Sequence, residues 1–463
     1  VQLSTMPSGP ARRWVPRGLD RALDAMLLDP AVTVLATFLG GGLLGTALLA
    51  LPLATEGGGS LDLIDAAFTA FSAVCVTGLG VVDTPNTFGA FGEATLLVLI
   101  QVGGLGIMTL STAALTFLGR RLSVRHEVTA AQLLQAEDRR TMANVLRRIL
   151  LVTGIFEGAG AALLTVLFWA GGDTLGQALW RGVFTAISAF CNAGFALQSD
   201  SLVGYQTAPL VLLTIGLLIV VGGLGPVVIA ACWARGRHGK RLSVAARVVL
   251  WTSLALTLIG FAGFLSFEWR GTLGHLGPVD RVVNALFQSI TLRTAGFNSI
   301  DLAASHPATL AIMLPLMFVG GSPASTAGGI KTTTIAVLLF LLRASFGNAE
   351  RVQLMGRTLR PETTHKAAAV AFLGFGSVFG TLLMLLATQA MSFHVALFEA
   401  VSALGTVGLT IGGTGALDLV GKVIVIVAMF AGRVGPLTLL IVIGRHGRVG
   451  AGPELPPIEV DVG

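Results

Sequence analysis

Phe68-Thr69-Ala70-Phe71-Ser72-Ala73-Val74-Cys75-Val76-Thr77-Gly78-Leu79 joins an amphipathic half-helix to a glycine loop, and the pattern returns three more times. The second copy starts at Phe184 and reaches Asn192-Ala193-Gly194-Phe195. The third starts at Phe287 and reaches Thr294-Ala295-Gly296-Phe297, and the fourth starts at Phe398 and reaches Thr406-Val407-Gly408-Leu409. Phe precedes the loop glycine by ten positions in three copies and by nine in the third, so the third approach is one residue shorter. Self-similarity at this spacing marks repeated structural units. Glycine permits positive φ, which other residues resist. Four such loops around one axis would turn rings of backbone carbonyls toward a dehydrated cation. Four Gly-containing turns that merely join helices are the plain alternative. The near-regular spacing, with a Phe-led half-helix before each loop, weighs against it.

Composition places these loops in a membrane. With 54% hydrophobic and only 12% charged residues, the chain does not read as an ordinary soluble domain. A helix needs about 20 apolar residues to cross a hydrocarbon core of ~30 Å. Stretches of that kind lie at 31–54, 94–118, 149–170, 208–233, 248–267, 308–342, 367–390 and 421–444, which predicts eight spans. The half-helices between them are too short to span. They should dip in and return, with their non-helical ends buried in protein or lining water. If their C-terminal ends point at the axis, the helix dipoles favour cations there.

Charge orients the spans. Arg12, Arg13, Arg17 and Arg21 precede the first, and further basic clusters fall at 120–148, 235–247, 343–366 and 445–448. The intervening links are poor in Lys and Arg but carry Glu56, Asp62, Asp83, Glu93, Asp173, Asp200 and Asp301. The positive-inside bias puts both termini in the cytoplasm and the glycine loops outside. Net charge +6 reflects this topology and not nucleic-acid binding, since no basic stripe carries interleaved aromatics. Residues 1–30 are too polar for a signal-peptide core. Cys75, Cys191 and Cys232 lack metal-ligand spacing. The domain reading is a cytoplasmic arm (1–30), repeat 1 (31–118), repeat 2 (149–233), repeat 3 (248–343), repeat 4 (367–444) and a cytoplasmic tail (445–463). The fold expected is an all-α membrane protein with four membrane–pore helix–membrane repeats arranged with pseudo-fourfold symmetry around one pore.

The sixth span is broken by Gly320-Gly321-Ser322-Pro323-Ala324-Ser325-Thr326-Ala327-Gly328-Gly329. Glycine and proline at that density cannot continue a helix. A small, hydroxyl-rich intramembrane loop at 320–330 is expected, either a movable plug below the loops or a static buried break. Lys331 follows it, and Arg433 lies inside the eighth span. Intramembrane charges are functional candidates by default. Arg433 reads either as a cation beside the pore or as a brace for loose carbonyls. Arg293 precedes the third loop and is expected to point away from the ion, paired with Glu399 of the fourth half-helix. Glu157 in the third span reads as a coupling-ion carboxylate or as one polar group among packing glycines. Asn192 and Asn298 are expected to brace the loops.

The four loops resemble the Trk/Ktr/HKT superfamily of cation transporters. So do Val81-Val82-Asp83-Thr84, Gln101-Val102-Gly103-Gly104-Leu105-Gly106, Gly271-Thr272-Leu273-Gly274-His275-Leu276 and Arg293-Thr294-Ala295-Gly296-Phe297-Asn298. Ser325-Thr326-Ala327-Gly328-Gly329-Ile330-Lys331 and Gly432-Arg433-Val434-Gly435-Pro436-Leu437 complete a match from about 31 to 444. The resemblance implies a K+ filter of Val76, Thr77, Gly78, Asn192, Ala193, Gly194, Thr294, Ala295, Gly296, Thr406, Val407 and Gly408, mainly through carbonyls. It implies a gate built from Gly320, Gly321, Ser322, Ser325, Thr326, Gly328, Gly329, Lys331 and Arg433. It further implies a homodimer, a cytosolic ring of RCK-type subunits binding ATP or ADP, membrane lipid around the chain, K+ as cargo and no organic cofactor. Whether Na+ couples to transport stays open, and a Trk-like or Na+-permeable relative is the neighbouring reading. An enzyme is disfavoured: no Walker-type Gly-x-x-x-x-Gly-Lys-Ser/Thr occurs, and no carboxylate pair stands out. A passive scaffold would not need four loop glycines.

Overall fold

The computed structural model describes residues 30–106, 139–239, 241–323, 325–347, 349 and 351–435. The arm before Pro30, the cluster at Arg120, Arg121 and Arg125, the C-terminal ends of the apolar stretches 94–118 and 421–444 and the acidic tail at 453–461 lie outside the described residues.

Repeat 1 comprises α1 (Pro30–Leu49), α2 (Leu63–Val74) and α3 (Ala90–Leu105). Repeat 2 comprises α4 (Arg139–Ala170), α5 (Leu175–Cys191) and α6 (Pro209–His238). In repeat 3, α7 (Val244–Glu268) and α8 (Pro278–Thr291) precede a broken pair, α9 (Pro307–Phe318) and α10 (Thr332–Phe346). Repeat 4 comprises α11 (Pro361–Thr388), α12 (Phe393–Gly405) and α13 (Leu419–Val434). The fold is thus almost wholly helical. Among the described residues the exception is a hairpin, β1 (Gln353–Leu354) with β2 (Arg357–Thr358), whose Leu354 packs with Val248 of α7 and Ala336 of α10.

Helix formation follows the local sequence. Proline at the first turn of α6, α8, α9 and α11 sits where its missing N–H costs nothing. Ser243 and Asp418 cap α7 and α13 by accepting from Ala246 N and Gly421 N. Among the described residues, four helical segments are long and apolar enough to cross a bilayer: Arg147–Ala170, Pro209–Pro226, Val244–Glu268 and Pro361–Thr388. Their outward sides expose Ile155, Leu217, Trp251 and Phe372. Surfaces of this kind suit hydrocarbon and not water.

The half-helices α2, α5, α8 and α12 are the interior. The phenylalanines that open the repeated motif within them, Phe68, Phe184, Phe287 and Phe398, are all buried. Each repeat's final helix packs on the next repeat's half-helix: α3 on α5, α6 on α8, α9 on α12, and α13 back on α2. A 2.5 Å ion pair from Lys422 of α13 to Asp65 of α2 joins the last repeat to the first. The four units therefore close into a ring, which brings loops far apart in sequence to one place.

Candidate ion pathway and gate

The four glycine loops meet at the centre of this ring. Gly78, Gly194, Gly296 and Gly408 have φ of 92°, 72°, 79° and 90°. A methyl group on Gly78 would strike the Ala193 carbonyl oxygen. On Gly194 it would lie 3.0 Å from the Ala295 oxygen, and on Gly296 2.8 Å from the Val407 oxygen. On Gly408 it would strike the Thr77 oxygen, so the cycle returns to the first loop. The carbonyls of Thr77, Ala193, Ala295 and Val407 thus each lie against the neighbouring loop's glycine. Close backbone approach around a closed circuit leaves no room for any side chain.

Two residues before each glycine, Val76, Asn192, Thr294 and Thr406 are also left-handed, with φ of 56°, 61°, 64° and 49°. Only Asn tolerates this region readily. The geometry is held by the next residue, whose N–H reaches back into the half-helix. Thr77 N donates to Ser72 O, Ala193 N to Ser188 O and Val407 N to Ser402 O, each at 2.8 Å and five residues back. In the shorter third approach, Ala295 N donates four residues back, to Thr291 O at 3.0 Å. The buried hydroxyls of Thr77, Thr294 and Thr406 have no partner among the described residues.

Outside the glycines lies a cavity of about 380 Å³, lined by all four of them together with Asp83, Ser199 and Asn298. The side chain of Asn192 bridges the second loop to α6. With the amide in the orientation that satisfies both contacts, its nitrogen donates to Ala189 O at 3.1 Å and Ile219 O at 3.2 Å. Asn298 donates through Nδ2 to Ile300 O at 3.2 Å, within its own exit loop.

The expected pairing of Arg293 with Glu399 is absent. Glu399 accepts from Thr410 Oγ1, from Thr414 Oγ1 at 2.5 Å and from the backbone N–H groups of Gly413 and Thr414. Hydroxyls and amides of its own exit loop saturate the carboxylate, so it holds the fourth loop without a cation. Arg293 is buried, and its Nε has no partner among the described residues. Exchanging the two charges (Arg293→Glu with Glu399→Arg) is therefore expected to leave uptake lost, while Thr414→Ala reproduces part of the Glu399→Gln defect. Hydrogen bonds to charged groups contribute about 1.5–3 kcal/mol each, so the partial defect should be measurable. Growth complementation at limiting K+ checks this, and restored growth in the exchange variant refutes it.

Between α9 and α10, the described residues of 319–331 form the break expected at 320–330. Its neck is closed by Gly320 N to Ile330 O at 2.9 Å and Thr332 N to Gly321 O at 3.0 Å. The anchorage depends on a kink in α6. Gly225 has φ 77° and ψ 152°, and Pro226 has no N–H to offer the Gly222 carbonyl. The loop takes the freed acceptors: Thr326 N donates to Gly222 O at 3.4 Å, Ser322 N to Gly223 O at 3.0 Å and Ser322 Oγ to Leu224 O at 2.5 Å. Thr326 Oγ1 adds a bond to Phe190 O at 3.2 Å. On the other side Arg433 donates through Nη1 to Thr326 O and through Nη2 to Gly103 O, both at 2.5 Å. Lys331 Nζ donates to Ala327 O at 2.8 Å, and Ser325 Oγ to Ser322 O at 2.7 Å. A methyl group on Gly328 would meet Thr406 Oγ1, so the loop sits directly against the fourth glycine loop. A second cavity, about 200 Å³, lies beside it between Lys331, Gly374, Leu404 and Gly432.

A second fourfold signature emerges here. Val102-Gly103-Gly104-Leu105-Gly106, Val221-Gly222-Gly223-Leu224-Gly225, Val319-Gly320-Gly321-Ser322-Pro323 and Ala431-Gly432-Arg433-Val434-Gly435 occupy equivalent places. Methyls on Gly103, Gly222 and Gly432 would strike the carbonyl oxygens of Val74, Phe190 and Leu404, each four residues before the glycine of its own loop. In the third repeat Gly320 instead faces Gly328 O of the loop. The loop between α9 and α10 thus takes the place of a packing contact that the other three repeats keep.

Glu157 of α4 accepts from Gln101 Nε2 at 3.1 and 3.2 Å, and Cys191 lies 3.9 Å from the same carboxylate. No cation pairs with it among the described residues.

With this geometry in place, the comparisons assign the family. Residues 43–445 match the family model described as TrkH, a cation transport protein. The chain is 38% identical over 415 residues to the Ktr system potassium uptake protein B of Vibrio alginolyticus, covering 89% of this chain and 90% of that protein. It is 35% identical to the potassium/sodium uptake protein NtpJ of Enterococcus hirae, covering 89% and 92%. The crystal structure of the potassium transporter TrkH from Vibrio parahaemolyticus shares the fold, with a TM-score of 0.70 at 21% identity over 90% of this chain and 85% of that one. The resemblance seen in the motifs holds: the chain belongs to the TrkH family of cation transport proteins.

Proposed function

We propose that this chain is the K+-translocating subunit of a Ktr-type uptake system. The observation that carries the reading is the closed circuit of four positive-φ glycines against four carbonyls. Carbonyl oxygens of Thr77, Ala193, Ala295 and Val407 replace the hydration shell of a K+ ion, and the unpartnered Thr hydroxyls offer further oxygens. The half-helices end at these loops, so their negative dipole ends favour a cation. Ions then meet the 319–331 loop, held between the α6 kink and Arg433. Its retreat into the adjoining cavity of about 200 Å³ opens the path inward. Eight spans with cytoplasmic termini, homodimerisation and control by a cytosolic nucleotide-binding ring belong to the same reading. The word system in the name of the Vibrio alginolyticus relative supports a partner subunit, and the basic clusters between apolar stretches support the orientation.

A second reading is K+/Na+ transport, favoured by the name of the Enterococcus hirae relative. Purified chain in proteoliposomes decides between the two. The expected result is Rb+ uptake competed by K+ at concentrations at least ~10-fold below those of Na+, the factor given by about 1.4 kcal/mol of selectivity. Equal competition by Na+ favours the second reading, and absence of cation flux with any partner or nucleotide refutes both.

A further inference from the structure

The outer cavity carries charge that the filter itself does not use. Its walls come from all four repeats, yet Asp83 is the one carboxylate among the described residues that line it. Asp83 precedes the short helix Thr84–Thr87 without capping it. Its Oδ2 instead accepts from Ser199 Oγ of repeat 2 at 2.6 Å and from Asn86 Nδ2 at 2.5 Å. Those bonds fix the carboxylate on the cavity wall, while Oδ1 has no hydrogen-bond donor among the described residues. No Lys or Arg lines the same cavity among those residues. Asn86 Nδ2 also donates to Ser199 Oγ at 3.1 Å, so a three-membered polar latch ties the exit loop of repeat 1 to that of repeat 2.

We propose that Asp83 is the cation-collecting residue of the outer mouth: its fixed, uncompensated negative charge raises the local K+ concentration above the filter. The cavity's size sets how it acts. At ~30 Å³ per water, about 380 Å³ holds on the order of a dozen waters, so the ion arrives hydrated and the carboxylate works through its field and not as a stripped ligand. A single-sign charge in a cleft with low-dielectric walls focuses field lines and speeds cation entry, and salt screens the effect. Asp83 is therefore a positioning residue for the ion, with its signature in KM and not in selectivity. The proposal rests on the K+-filter reading above.

The test compares KM for K+ in proteoliposomes at low ionic strength and in about 1 M N-methylglucamine chloride, where the Debye length falls to about 3 Å. Asp83→Asn keeps an oxygen for Ser199 while removing the charge. Its KM is expected to rise roughly three- to tenfold at low ionic strength, with unchanged maximal rate, and to converge on the parent value in high salt. Thr84→Lys, which adds the opposite charge to the same wall, should raise KM with the same salt dependence. Ser199→Ala, which breaks the latch but keeps the charge, should leave KM within about twofold. A KM unchanged in both charge variants overturns the proposal, as does a rise that ignores salt or is matched by Ser199→Ala. The parent's preference for K+ over Na+ is measured alongside. Its loss indicts the filter reading, and its presence with no KM shift indicts Asp83 alone.

Discussion

Gly408→Ser is expected to abolish K+-selective uptake, with Rb+ influx falling at least ~100-fold or selectivity over Na+ collapsing. Two costs combine at this position. A side chain at φ 90° lies in a region that L-residues rarely adopt, at roughly 1–3 kcal/mol. Its Cβ would also overlap the Thr77 carbonyl oxygen, which is backbone and cannot rotate aside. Relief requires that carbonyl to turn, and that carbonyl is one of the four proposed ion ligands. Losing one ligand dipole at about 1.4 kcal/mol per tenfold readily accounts for two orders of magnitude. Gly57 provides the control: its φ is 102°, but nothing lies within 4 Å of an added Cβ. Gly57→Ala therefore bears the backbone strain without the clash, and uptake should survive. Near-parental K+ affinity and K+/Na+ preference in Gly408→Ser would remove the support for a carbonyl filter.

Much of this site is readable in the chain because repeats expose themselves by recurrence. The four loops, the shortened third approach and the break after Phe318 are all visible as pattern. The third approach even carries its structural consequence, since its missing residue becomes a backbone bond four residues back at Ala295 in place of five. The second signature at Gly103, Gly222, Gly320 and Gly432 was equally available. It is obscured because its fourth copy reads Gly-Arg and its third Gly-Gly-Ser-Pro, so it looks like isolated motifs.

Other features were not legible, for physical reasons. Nothing local marks Val76, Thr294 and Thr406 as left-handed, because Val and Thr disfavour that region and only the back-bonds to the half-helices impose it. Opposite charge suggested an Arg293–Glu399 pair, but charge alone carries no distance. The donors that win lie 11 and 15 residues downstream of Glu399, on the loop it already faces. The anchorage of the 319–331 loop also depends on which carbonyls a distant kink at Gly225-Pro226 leaves free.

Arg433 offers the second large effect. Arg433→Ala is expected to raise K+ flux through chain reconstituted without its cytosolic partner, by roughly 10- to 100-fold, while leaving K+/Na+ preference intact. Its two 2.5 Å bonds tie the proposed gate loop at Thr326 O to the C-terminal end of α3 at Gly103 O. Hydrogen bonds from a charged donor contribute about 1.5–3 kcal/mol each, so losing the clamp shifts the closed-to-open balance by a few kcal/mol. The shift is bounded, because Ser322 and Thr326 keep their bonds to α6 and Phe190. Removing a positive charge near the path also lowers the barrier to a cation, and Arg433→Gln separates the two causes. Gln is neutral yet can donate to one carbonyl, so a barrier effect makes it equal to Ala, and a clamp effect places it between Ala and the parent. Arg433→Lys keeps the charge but, as a point donor, cannot reproduce the forked grip on two carbonyls. Partial opening in Lys is thus the signature of the clamp. Selectivity should not change in any of the three, because Arg433 donates to Thr326 O and Gly103 O and, among the described residues, to none of the proposed filter carbonyls. If all three variants, folded and inserted, carry no more partner-free flux than the parent, Arg433 does not hold the gate.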